Sequence, residues 1–428
     1  MAAVVAAAAA VIAVAGCSAG SHPAAGPPTA ASGGAGLPRP VPAAQVTAPA
    51  RAPGCSTATA PAPALSTVPT AMAPVPSTPF GVAATAGGRW SFVALTGSGS
   101  VGVFRVQGPG VPSLARQVRT GGQPLGEALT HDGRYLLVAD GSGGAAVISV
   151  SRAEEGGAGA LLGTLNDPAG SGAIEVAPSP DGRFAFVSLE DSDQIAVFDL
   201  RQALTKGFGP SDFVGTIPAG LAPVGLAVSP DGRWLYATSE IAPGAPRPAL
   251  ARPSPGTRPS SVLLAEGSLT VISLRRAETD PAGSVVSTVE AGCGPVRVIT
   301  SADGGVVWVT ARESDRLLGF SASRLRTDPA RSLVASVPVG EAPVGLALVD
   351  GGARIVVADS NRFGAPGAAS SLAVVGVAAA LDGRPALLGY LKAGGFPREM
   401  ALQPDGTTLL VANFSSRQLE AVDVARLP

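Results

Sequence analysis

The chain has 428 residues, 46% hydrophobic and 14% charged, with 56 glycines and 40 prolines. Its 30 Lys and Arg against 31 Asp and Glu leave no net field to draw in nucleic acid or an anionic membrane. Two histidines (His22, His131) and three cysteines (Cys17, Cys55, Cys293) exclude histidine-rich metal centres and a disulfide framework.

The first element is an apolar run, Ala2 to Val14. It is short for a transmembrane helix and suits the core of a secretory signal. It leads into Val14-Ala15-Gly16-Cys17, which resembles a bacterial lipobox, although no Lys or Arg precedes the run. Residues 1–17 are therefore expected to be a lipoprotein signal, with Cys17 lipidated. An ordinary secretory signal with a chance cysteine is the alternative. Residues 18–62 are Ala, Pro, Gly and Ser with no apolar period. They are expected to be a disordered tether, because they bury too little surface to offset ordering entropy. The expected location is the extracytoplasmic face of the cell membrane, held by the lipid alone.

Residues 63–428 carry a repeat. Aligned on the second residue of an Asp-Gly-like turn, the units fall at Gly88, Gly133, Gly182, Gly232, Gly304, Gly352 and Gly406. The spacings are 45, 49, 50, 72, 48 and 54 residues. In each unit an apolar run enters the turn, where Asp-Gly suits a tight hairpin. Two further β-rich runs and a fourth follow, then a Gly-x-x-Pro link such as Gly220-Leu221-Ala222-Pro223. Seven repeats of four short strands predict an all-β, seven-bladed β-propeller of four-stranded antiparallel blades. The seventh unit stops after its third strand. The segment 64–69 resembles the fourth-strand stretch from Val285 to Val289. Its Leu65–Val68 is expected to pair with 419–424 and close the ring. The fourth unit carries a long insertion, 241–267, with Arg247, Arg252 and Arg258 among prolines. That insertion reads either as a cap on the channel or as a mobile loop.

Propeller sites lie where the innermost strands meet the channel. One innermost-strand slot holds Gly81, Gly126, Glu175, Gly225, Arg297, Gly345 and Glu399 in the successive units. Glycine is the default, so the three charges stand out. Arg398 adjoins Glu399, and Glu127 lies one slot further on. Loops between second and third strands add Arg312, Asp359, Asn361 and Arg362 on the same side. Mixed charges in a narrow opening suit a polar ligand or an ion, and mutual salt bridging is the plainer reading. His131, in the turn of the second unit, is expected at the opposite surface.

The stretch Ser229-Pro230-Asp231-Gly232-Arg233-Trp234-Leu235-Tyr236-Ala237-Thr238 resembles the YVTN repeat of YncE-like seven-bladed propellers. The same architecture is similar to that of the lactonase-like propellers related to 6-phosphogluconolactonase. That second resemblance implies a site at Pro397-Arg398-Glu399, with Glu399 where the lactonase-like pattern carries His. Two functions follow. One is a ligand- or protein-binding scaffold, its ligand-contacting residues Glu175, Glu127, Arg312, Asp359, Asn361 and Arg362. The alternative is a lactone hydrolase using Glu399, Arg398 and Arg297, with Glu399 as base and Arg398 as support for the developing oxyanion. A hydrolase needs a shifted carboxylate beside a fixed cation. A scaffold needs exposed aromatics or a charged loop. No cofactor is expected. Asp191-Ser192-Asp193 hints at a divalent ion without a full ligand set, and no metal site is expected. Partners are expected to be an extracytoplasmic protein or a small polar ligand, with no nucleic acid and a monomeric chain. Cys55 and Cys293 can pair in an oxidising compartment.

Overall fold

The computed structural model describes Cys55 and residues 60–245, 265–364 and 369–428. The signal, the lipobox at Cys17, the tether to residue 54 and the interior of the insertion, 246–264, lie outside the described residues. Seven four-stranded antiparallel sheets follow one another around the chain. Blades one to six span 79–119, 127–166, 173–218, 221–293, 295–338 and 343–392, and blade seven spans 397–423 with one strand from the N-terminal side. Six of the seven aligned turn glycines have φ of 66–69°, the left-handed conformation that glycine adopts without a Cβ penalty. In blade six the turn is rebuilt around Asp350 and Gly351, both at positive φ.

A lone blade has two apolar faces and covers neither. Each core here lies between neighbouring blades. Phe92 and Val101 pack on Leu136 and Ile148 between blades one and two. Val93 and Leu95 pack on Leu410 and Leu419 between blades seven and one. Trp308 and Tyr236 are almost wholly buried, and truncating such a residue typically costs about 3–5 kcal/mol.

The ring closes with an N-terminal strand, as expected, but the strand is Thr70–Pro74 and not 64–69. It pairs from Thr70 opposite Val422 to Pro74 opposite Gln418. Pro69 lacks an N–H for a ladder, and the ladder starts after it. Leu65 and Val68 are used sideways. Leu65 covers Gly389 and its amide donates to the Tyr390 carbonyl at 2.7 Å, while Val68 enters the core between blades six and seven. The end of the expected tether is docked too: the Tyr390 hydroxyl donates to the Ala60 carbonyl at 2.7 Å. Cys55 and Cys293 form a disulfide with Cα atoms 5.2 Å apart. The flanks of the expected insertion belong to the eight-residue strands Trp234–Ile241 and Glu266–Ser273. Among the described residues no helix is long and apolar enough to cross a membrane.

Candidate ligand site at the channel mouth

The innermost strands approach closely at one level, which explains the default glycine. A Cβ on Gly81, Gly126 or Gly225 would stand 2.5–2.6 Å from the carbonyl of Leu125, Ile174 or Val296 in the next blade. Gly345 is pressed on Arg398 in the same way. No other residue fits there without moving a backbone. The strands bearing Glu175, Arg297 and Glu399 break register at this level, between Ala173 and Glu175, Pro295 and Arg297, and Pro397 and Met400, as do those bearing Gly81, Gly225 and Gly345. Such bulges re-aim side chains.

The three charged side chains come from blades three, five and seven, and they meet. The Arg297 guanidinium donates through Nε to Glu399 Oε1, and its Nη2 is ion-paired with the same oxygen. Its Nε also lies 3.4 Å from Glu175 Oε2. One buried cation thus joins three non-adjacent blades across the channel. Burial, and then the charge of Glu399, push the Glu175 carboxyl up to about 8 against the pull of Arg297. Burial also raises Glu127 well above the usual carboxylate range, with Glu175 and Glu399 adding to it and the Ala83 amide opposing. Neither Glu127 oxygen has a well-formed hydrogen bond among the described residues.

A second tier lies at the ends of the second strands. Arg312 Nη1 binds Glu240 at 2.8 Å and Nη2 binds Glu313 at 3.2 Å. Burial raises both acids. Arg312 outweighs it at Glu240 and leaves that carboxyl below its ordinary value, whereas Glu313 stays raised. Arg362 is lowered by burial and by Arg312, with Glu240, Glu190 and Glu313 opposing. Glu240 was not singled out from sequence, yet its signal is there: it sits eight residues after its turn glycine, as do Glu190 and Arg312.

The third feature is aromatic. The slot eight residues before the turn glycine holds Phe80, Leu125, Ile174, Val224, Val296 and Val344, and in blade seven Arg398. Its guanidinium carbon lies 3.8 Å from the Phe80 ring centre and 5.3 Å from those of Phe396 and Phe414. Cations favour such faces. Burial and the charge of Arg297 lower Arg398 from its ordinary value, but a guanidinium keeps its proton at neutral pH. Glu127 also stands in a slot that is apolar in the other six units (Val82, Val176, Leu226, Val298, Leu346, Met400).

Seven of the expected residues therefore share one electrostatic environment: Glu127, Glu175, Arg297, Arg312, Arg362, Arg398 and Glu399. Asp359 and Asn361 do not join it. Asp359 is buried against Gly340 and accepts from the Ser371 hydroxyl at 2.9 Å. Asn361 is a turn residue at φ 50°, its amide donating to the Ala369 carbonyl at 3.2 Å. The acidic turn at Asp191–Asp193 has a structural use, since Asp193 accepts the Ala222 amide of the next blade at 2.9 Å. Among the described residues one cluster has metal-ligand spacing, Cys55, Glu266 and Cys293, and both its sulfurs are consumed in the disulfide. His131 is exposed.

Fold and mouth together define a seven-bladed β-propeller whose channel is crossed by a buried Glu–Arg–Glu bridge. No family model matches the sequence, and no curated protein matches it. Among solved structures the chain is similar to a chain of the Kuenenia stuttgartiensis hydrazine synthase, with a TM-score of 0.61 at 17% identity over 82% of this chain and 96% of that one. At that identity the likeness is one of fold.

Proposed function

We propose that this protein is a YVTN-type propeller of the bacterial cell envelope that binds a small polar ligand at its channel mouth. The observation that carries the reading is the Glu175–Arg297–Glu399 bridge. It brings ionic groups from three blades together at one place. A protein-docking face is less well supported. Among the described residues the exposed large apolar side chains, Val111, Leu114, Val214, Val286 and Leu381, include no aromatic anchor. An extracytoplasmic location agrees with the disulfide and with the signal-like N-terminus.

The lactonase reading draws on Glu175, a raised carboxyl beside a fixed cation. Hydrolysis also needs a base at neutral pH. Burial favours the protonated form of Glu175, pushed up to about 8, and raises Glu127 as well, while Glu399 is bound twice by Arg297. Binding without turnover is therefore the favoured reading. The test pairs thermal-shift titration against polar metabolites with pH-stat hydrolysis of sugar and simple lactones. Saturable rises in melting temperature without turnover support binding. Turnover abolished by Glu399→Gln would replace this reading with the hydrolase.

A further inference from the structure

We infer that Arg398, held over Phe80, Phe396 and Phe414, is the recognition group for the carboxylate of a small organic monoanion entering the channel mouth. The inference rests on the binding reading above and names the ligand class for it.

Two local rules are broken at this one place. Arg398 occupies a slot that is apolar in every other blade. Unlike Arg297 and Arg312, it has no carboxylate within ion-pairing distance among the described residues. Its Nε is buried without a hydrogen-bond partner. A half-buried cation left without an anion is costly, and a purely structural need would be met by Val, Ile, Leu or Phe, as in the other six blades. The second irregularity is Phe396, which has φ 55°. The matching residues Gly172, Ala222, Gly294 and Ala342 also have positive φ, but they are small. A bulky side chain is strained in that region, and here the strained residue turns its ring toward the guanidinium. The Ser370 hydroxyl accepts its amide at 3.1 Å and helps fix it. Coinciding breaches of packing and backbone rules mark a functional place.

The geometry selects the ligand. An arginine fork matches the planar carboxylate through two parallel hydrogen bonds. Aromatic faces hold the fork flat, so little is lost in ordering it. Glu399 beside it is partly solvent-exposed and opposes a dianion such as phosphate more than a monoanion, while Arg297, Arg312 and Arg362 favour an anion of either kind.

The test is calorimetric titration of the disulfide-intact protein at pH 7 and 0.15 M salt with benzoate, acetate, benzamide and inorganic phosphate. Wild type is expected to bind benzoate or acetate saturably, phosphate at least tenfold more weakly, and benzamide not at all. Arg398→Met, which supplies an apolar side chain of similar length, is expected to lose at least 30-fold in carboxylate affinity with no fall in melting temperature. Arg398→Lys keeps the charge without the fork and is expected to fall between. Carboxylate binding unchanged in Arg398→Met overturns the inference, and so does phosphate binding as tight as carboxylate. A collapse in stability of both variants also overturns it, by making Arg398 structural. If no carboxylate binds wild type while other polar ligands still raise its melting temperature, this inference fails and the binding function stands.

Discussion

Asp231 and Asp303 on one face of the propeller and Glu175 and Glu127 on the other behave in opposite ways. On the hairpin-turn face, Ser229 and Ser301 donate to Asp231 and Asp303 at 2.5 Å, and each aspartate also accepts the amide two residues on, at 3.1 and 2.9 Å. These bonds, above all those from the serines, lower both carboxyls from their ordinary value. At the channel mouth Glu175 and Glu127 are raised, chiefly by burial. The turn acids staple a repeat and stay wet. Glu175 and Glu127 are buried, and their neutral form is favoured. Donors and water, not residue type, separate the two sets.

The comparison can be broken from either end. The largest effect is expected at Arg297. Arg297→Met leaves buried Glu175 and half-buried Glu399 without their cation and should cost about 3–5 kcal/mol in urea unfolding at pH 8. At pH 5 the loss should shrink as Glu175 is fully protonated, and an equal loss at both pH values would refute the bridge as an electrostatic unit. Next comes the pH profile. Between about pH 4.5 and 8 folded Glu175 holds a proton that the unfolded chain has released. Its contribution is therefore complete below that window and fades as pH rises through it. Glu175→Gln should flatten this decline, which amounts to roughly 2 kcal/mol allowing for the coupling to Glu399. A profile as steep as wild type would assign the slope elsewhere. A smaller gain is expected from Glu127→Leu, which restores the apolar residue type of the other units. Removing an unsatisfied buried carboxyl should raise stability by about 1–2 kcal/mol, read as a higher melting temperature. The smallest change is on the turn face. Asp231→Ala should cost about 1 kcal/mol above pH 4, with the penalty vanishing at lower pH as the wild-type aspartate is itself protonated.

Sequence reading was strongest where the repeat constrains every unit alike. The turn glycines, the glycine slot and the missing outer strand follow from periodicity, because one blade geometry recurs seven times. The closing strand was misplaced because Leu65 and Val68 carry the apolar signal, whereas Thr70–Pro74 pairs mainly through its backbone. Side-chain pattern does not report backbone pairing at an edge. Glu175, Arg297 and Glu399 were legible as departures from glycine. Their meeting was not, since it depends on bulges and on which blades face one another across the axis. Asp359 shared the charge type of the site but turns into its own blade, which spacing cannot reveal. The Phe cage around Arg398 was missed because each phenylalanine alone looks like ordinary core.

The disulfide sets a load path. Cys55 precedes the closing strand in the chain, yet it is bonded to Cys293, at the end of the outer strand of blade four. A pull on the chain ahead of Cys55 passes through sulfur into the middle of the ring. The five-residue seam at Thr70–Pro74, which would otherwise peel one pair at a time, is left slack. The propeller can hang from its N-terminal end without being unzipped by it.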